Sequence, residues 1–176
     1  MSSLCVLGIT FNQYLEIPDH VTNVLQKSNQ CLYALKILKS KGLAGRSLNT
    51  VCKSTLLSSL AYASPSWWGF ASAEDRARLE SVIKKAMRWG CAGDDPLPTL
   101  QDICSKADAN LFQNVLNNSR HVLHQLLPPE KSHNYSLRVR PHNRVLPNCS
   151  STSLMRKNFL HRMLMKYSYW TNFWFY

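Results

Sequence analysis

Apolar residues recur at helical spacing along most of the chain. Val21, Val24, Leu25, Leu32, Leu35 and Leu38 share one face, with Ser28 completing the row. This spacing predicts a helix that opens after Pro18-Asp19 and ends at Gly42. Lys27, Lys36 and Lys39 fall largely off its apolar face. Leu48, Val51, Cys52, Leu56, Leu60 and Ala63 predict a second helix from about residue 47, stopped by Pro65. Ser72 followed by Asp75 has the spacing of a capping box. The third helix that it opens carries Leu79, Val82, Ile83, Ala86 and Met87, and Gly90 and Gly93 end it. Thr99 and Asp102 repeat the capping pattern before Leu100, Ile103 and Cys104. A further helix is predicted from Asp108, with Leu111, Phe112, Val115, Leu116, Val122 and Leu123 inside and Pro128-Pro129 at its end.

Three segments depart from this period. Leu4-Cys5-Val6-Leu7-Gly8-Ile9 reads as one short buried strand with an internal glycine. A lone strand leaves its backbone groups unpaired, so it calls for a partner, and the following sequence offers no obvious one. Residues 62–70 form an aromatic turn containing Trp67 and Trp68, read as a packing plug between helices rather than a platform for stacked bases. From residue 130 to 153, arginine, proline and polar residues predict an extended linker that orders on contact. Met155, Phe159, Leu160, Met163 and Leu164 then predict one last short helix. The fold expected is mainly α, a helical bundle with a short N-terminal β stub. Its parts are a strand stub at 1–17, helices at 18–127, and a basic linker, short helix and aromatic tail at 128–176.

Charge narrows the function. The 176 residues include 21 Lys and Arg against 10 Asp and Glu, a formal net charge of +11. That balance disfavours an acidic-substrate or metal–carboxylate enzyme and favours a polyanionic partner, nucleic acid before an anionic membrane surface. The charge is also concentrated. Between His20 and Ala73 there is no acid, but there are Lys27, Lys36, Lys39, Lys41, Arg46 and Lys53. From Lys131 to Tyr176 there are eight of the 21 basic residues and none of the ten acids. No apolar run reaches the ~20 residues of a membrane span. The start of the chain does not read as a secretory signal, which predicts an intracellular protein of cytoplasm or nucleus, not a secreted one, with reduced cysteines.

Tests for reaction chemistry return little. Asp94-Asp95 has the adjacent carboxylates of a two-metal site, but it sits between Gly93 and Pro96 with no third acid nearby, as in a solvated turn. Cys91, Cys104, His121 and His124 lack the paired spacing of a zinc site. No Ser-centred nucleophile turn, phosphate-binding loop or dinucleotide fingerprint is present.

Several segments in order carry a resemblance. They are Leu7-Gly8-Ile9-Thr10-Phe11 with His20-Val21, Tyr62-Ala63-Ser64-Pro65-Ser66-Trp67-Trp68-Gly69-Phe70, and Asp75-Arg76-Ala77-Arg78-Leu79-Glu80. Leu111-Phe112, His121-Val122-Leu123-His124 and Leu126-Leu127-Pro128-Pro129 follow. The series closes with Tyr135-Ser136-Leu137-Arg138-Val139-Arg140-Pro141-His142-Asn143 and Asn158-Phe159-Leu160-His161-Arg162-Met163-Leu164. From about Leu4 to Lys166 the chain resembles the C-terminal part of jockey-like non-LTR retrotransposon reverse transcriptases. The aromatic tail after Lys166 departs from that pattern.

The resemblance implies the end of a polymerase palm, a thumb and a C-terminal extension. Leu7 and Gly8 would match the hairpin that holds the primer terminus. The helices from Pro18 to about Arg88 would match the thumb that grips the template–primer duplex. The family's metal-holding aspartates lie upstream of the matched region, so the chain is expected to be no enzyme as it stands and to need no cofactor, although the parent family uses magnesium. An upstream palm is an implied partner. In that setting Lys27, Lys36, Lys39 and Lys53 would contact phosphates of an RNA–DNA or DNA duplex, and Arg138, Arg140 and Arg144 would add contacts from the linker. Two rival readings stand beside this one: a helical protein-interaction module, and a decayed element copy with no selected function.

Overall fold

The computed structural model describes residues 3–92, 96–131, 142–146 and 152–168. The chain is mainly helical, with a two-stranded antiparallel sheet near its N-terminus. It divides into two compact units, Met1–Ser105 and Lys106–Tyr176.

The N-terminal strand has a partner within the chain, which corrects the lone-strand reading. Strand β1 (Leu4–Val6) pairs with β2 (Ile9–Phe11) in the register Leu4 to Phe11, Cys5 to Thr10 and Val6 to Ile9. Leu7 and Gly8 are the turn between them, both at positive φ (47° and 83°). That is the requirement of a type I′ hairpin turn, whose twist matches the flanking strands. Ile9 is buried in the core of the first unit, whereas Leu4 and Val6 are exposed.

Helix α1 (Pro18–Ser40) opens on a proline at its first turn and buries Val21, Val24, Ser28, Leu32 and Leu35. Helix α2 (Gly45–Cys52) runs through a wide π turn at Lys53–Leu57 into α3 (Ser58–Ala61). Hydroxyls of Ser54 and Thr55 donate to the Val51 carbonyl, and that of Ser58 donates to Ser54. Such back-bonding competes with the helical ladder and accounts for the wide turn. The second helical run ends at Ala61, ahead of Pro65. Pro65 sits in the first turn of α4 (Ser64–Trp67), after Ala63 has reversed the chain at φ 49°.

The aromatic segment is a plug. Trp67 and Trp68 are both buried, and their rings meet edge to face at 5.7 Å. The Trp67 indole donates to the Tyr62 carbonyl at 2.9 Å. Tyr62 in turn donates to the Leu7 carbonyl at 3.2 Å, and Phe70 meets Phe11 edge-on, so the plug also holds the hairpin. Helix α5 (Ala73–Arg88) carries the expected capping box: the Asp75 amide donates to Ser72 Oγ at 3.0 Å and the Ser72 amide approaches Asp75 Oδ2. Its stripe of Leu79, Val82, Ile83 and Ala86 is buried in the same core as the α1 stripe.

Helix α6 (Leu100–Asn117) is one helix where two were expected. It ends eleven residues before Pro128, because Asn117, Asn118 and Ser119 favour turns over helix continuation, and the Asn118 side chain accepts from the Arg120 amide. A short 3-10 turn at Val122–Leu126 follows, capped by His121. In the second unit, Phe112 packs with Phe159, Met163 and Leu164. The last segment is two helices, α7 (Ser153–Lys157) and α8 (Phe159–Lys166), separated at Asn158, which caps the second.

His20 supplies a pH test of this packing. It is buried on α1, edge-on to Trp67 at 5.3 Å, with Nε2 lacking a hydrogen-bond partner among the described residues. Burial pushes its pKa below the ordinary 6.5, and Lys27 adds to the shift. Below that value the unfolded chain takes up a proton that the native chain refuses, so stability falls with pH by up to about 1.4 kcal/mol per unit. Urea unfolding at pH 7.5 and 5.5 is expected to show this loss in the parent chain and a smaller loss in His20→Gln. Equal losses in the two proteins would count against it.

Candidate nucleic-acid interface

The expected phosphate contacts do not form one face. Lys27 and Lys36 are nine residues apart on α1, which places them about 180° apart around the helix. Lys27 is exposed and makes no ion pair among the described residues. Lys36 and Lys39 converge on one residue of the neighbouring helix end. Lys39 Nζ donates to the Trp89 carbonyl at 2.7 Å, and Lys36 Nζ lies 5.6 Å from the Trp89 ring centre. A cation at the C-terminus of α5 satisfies a carbonyl that the helix leaves open. Lys39 is thus a capping group of the fold, and it lies over Gly90, whose φ of 69° suits a glycine.

Lys53 is exposed at the start of the π turn, and Lys41 and Arg46 are exposed in the α1–α2 connection and the first turn of α2. None of these makes an ion pair among the described residues. Leu7 is 85 % exposed at the tip of the hairpin, and Gly8 beside it is required by its positive φ.

The linker arginines divide differently. Arg138 and Arg140 lie outside the described residues, as do Asp94 and Asp95. Arg144 is engaged within the second unit: it pairs with Glu130 at 3.2 Å and donates to the Pro128 carbonyl at 3.2 Å. The backbone beside it is also tied, Lys131 donating to Asn143 at 2.8 Å and Val145 to Pro129 at 2.9 Å. This part of the linker is ordered against its own chain. His142, next along, is buried; it accepts from the Arg144 amide at Nδ1, so its proton is on Nε2, which donates to the Leu164 carbonyl at 3.0 Å. Arg162 is committed as well, to Asp108 at 2.9 Å. Tyr167, first residue of the aromatic tail, stacks on Phe112 at 5.6 Å, and burial with the nearby Asp108 charge raises its hydroxyl pKa.

The residues considered for zinc are each occupied in other ways. Cys91 and Cys104 are buried, His121 Nδ1 accepts from the Leu123 amide, and His124 Nδ1 bonds to the Val115 carbonyl. Among the described residues no group of three or more such side chains is placed to hold a metal. Cys52 is buried and its thiol pKa is pushed up to about 11, which makes it an unreactive core thiol.

Sequence reasoning missed one feature. A groove of about 790 Å³ runs between α1 and α5 within the first unit. From α1 it is lined by Gln26, Asn29, Gln30 and Tyr33, and from α5 by Arg78 and Lys85. The α1 residues recur at three- and four-residue intervals and the two α5 residues are seven apart, so each set is one edge of its helix. The signal was present in the sequence as a polar amide stripe beside the apolar one on α1, but which stripe it would face was not.

Among the described residues no helix is long and apolar enough to cross a membrane. Comparison with family models, curated proteins and solved structures returns no match.

Proposed function

We propose that this chain corresponds to the thumb and C-terminal extension of a jockey-like non-LTR reverse transcriptase, and that it binds template–primer duplex without regard to sequence. The observation that carries the reading is charge placement. The acid-free stretch of residues 20–73 exposes Lys27, Lys41, Arg46 and Lys53 on a helical unit, with no ion pair to neutralise them among the described residues. Ordered segments that resemble the family, and a hairpin leading into a helical bundle, support the same reading. The contacts belong to these four cations rather than to Lys39 and Arg144, which are used inside the fold.

The proposed activity is binding alone. The chain's ten acids include no set spaced like the palm aspartates of the family, and magnesium chemistry belongs to the upstream part of the parent polymerase. An upstream palm is the protein partner implied, and cytoplasm or nucleus the compartment.

The experiment is a duplex-binding titration of the parent chain and of Lys27→Ala/Lys53→Ala at low salt. Phosphate contacts release counterions, so the double variant should bind more weakly and with a log–log salt slope smaller by roughly 1.8 on duplex DNA. Unchanged affinity and slope would remove these residues from the interface.

A second reading is favoured by one observation. Leu4, Val6, Leu7, Tyr14 and Leu15 are all exposed within the first fifteen residues. Such a run suits an apolar protein surface. If that were the operative contact, binding would depend on Leu7 and Tyr14 and would persist in high salt.

A further inference from the structure

We infer that the groove between α1 and α5 seats a single-stranded nucleic-acid segment, with a base stacked on Tyr33. This rests on the nucleic-acid reading and adds to it a second site and a strand state.

Tyr33 is 66 % exposed on a long helix, and no ring contact engages it among the described residues. An exposed aromatic on a rigid helix offers a flat apolar face to solvent at small entropic cost. Single-strand binders combine such faces with a cationic track, because every base has a π-face to stack. A paired base is already stacked within its duplex and cannot use it.

Leu25 and Val82 add apolar surface to the groove, and its amides and cations match the rest of a nucleotide. Gln26, Asn29 and Gln30 share the Tyr33 edge of α1 and each carries both a donor and an acceptor. Base edges present both kinds of group, whereas phosphates present acceptors alone. The cations stand on the opposite wall. Arg78 and Lys85 are seven residues apart on α5, about 10 Å along the helix. No carboxylate lines the groove. The nearest acid to Arg78 is Asp75, at 3.5 Å, and its other oxygen is held by the Ser72 hydroxyl at 2.8 Å in the capping box. The Arg78 side chain remains 46 % exposed and has further N–H donors to offer. Lys85 makes no ion pair among the described residues.

The test uses the full chain, a labelled 12-nucleotide oligo(dT) and a labelled 12-base-pair DNA duplex. Tyr33→Ala should weaken oligo(dT) binding about tenfold, the loss of one stacked base, and leave duplex binding within about twofold. Tyr33→Phe, which keeps the ring, should bind oligo(dT) within about twofold of the parent. Circular dichroism of Tyr33→Ala checks that α1 is intact. Equal oligo(dT) affinity in Tyr33→Ala and parent would overturn the inference, as would an equal loss on both ligands. A parent chain that binds duplex but not oligo(dT) would overturn the groove and leave the duplex reading standing. A parent chain that binds neither would overturn both.

Discussion

Replacing Trp67 with alanine is expected to destabilise the first unit by about 4 kcal/mol, the range for deleting a fully buried tryptophan. The indole is 1 % exposed and is held on several sides. His20 and Trp68 meet it edge-on, at 5.3 and 5.7 Å, and its N–H donates to the Tyr62 carbonyl. Removing it opens a cavity that the reversed chain at Ala63 is poorly able to close, since that turn already occupies a sparse backbone region. It also loosens Tyr62, and with it the bond to the hairpin turn at Leu7. Trp67→Phe keeps much of the volume but loses the N–H, so a smaller cost of about 1–2 kcal/mol is expected. Urea unfolding followed by far-UV circular dichroism measures both. A cost below 1 kcal/mol for the alanine variant would mean that the aromatic segment is not what holds α1 and the hairpin.

Asp108→Ala is expected to cost the second unit about 3 kcal/mol. The Asp108 side chain is 3 % exposed and that of Arg162 21 %, with Oδ2 and Nη1 at 2.9 Å. Taking away the carboxylate leaves a guanidinium mostly out of water with nothing to balance it. The pair is not well satisfied even when intact, since Asp108 Oδ1 and Arg162 Nε and Nη2 are buried without hydrogen-bond partners among the described residues. Its net contribution is therefore small although breaking it is costly. Replacing both partners together, Asp108→Leu with Arg162→Met, should be less destabilising than Asp108→Ala alone. Thermal unfolding of the full chain, comparing the three variants, decides the matter. A single variant as stable as the parent would show that Arg162 reaches solvent on losing its partner.

These two residues also mark where sequence reading succeeds and fails. Trp67 was legible as a plug because an aromatic run after a proline must be buried somewhere near its own helices. The capping box at Ser72 and Asp75 and the stripes of α1 and α5 were legible because each is local and periodic. Asp108 was not. An aspartate ahead of an apolar run reads as a helix opener, yet here it lies inside α6 and pairs with a residue 54 positions later. The hairpin was missed for a related reason. Type I′ turns favour Asn-Gly or Asp-Gly, and Leu7-Gly8 hides the turn inside what looks like one apolar strand.

The candidate interface was legible in composition and less so in geometry. Two acid-free stretches identify a basic chain, but lysines counted along a helix do not reveal where their ammonium groups end. Lys39 crosses to a carbonyl 50 residues away, and Arg144 closes on Glu130. Lys27 and Lys53 keep the exposure that their positions implied. Tyr33 and its amide neighbours were passed over because a polar stripe beside an apolar one is the ordinary outer face of a helix, and only the placement of α5 turns it into a groove.

The most direct measurement is binding of the parent chain to a short DNA duplex over a series of salt concentrations. With Lys27, Lys41, Arg46 and Lys53 each meeting one phosphate, the expected log–log slope is roughly −3.6, with affinity in about the micromolar range at low salt and little change between unrelated sequences. Absence of binding at low salt, or binding whose slope is flat, would contradict the proposed phosphate contacts.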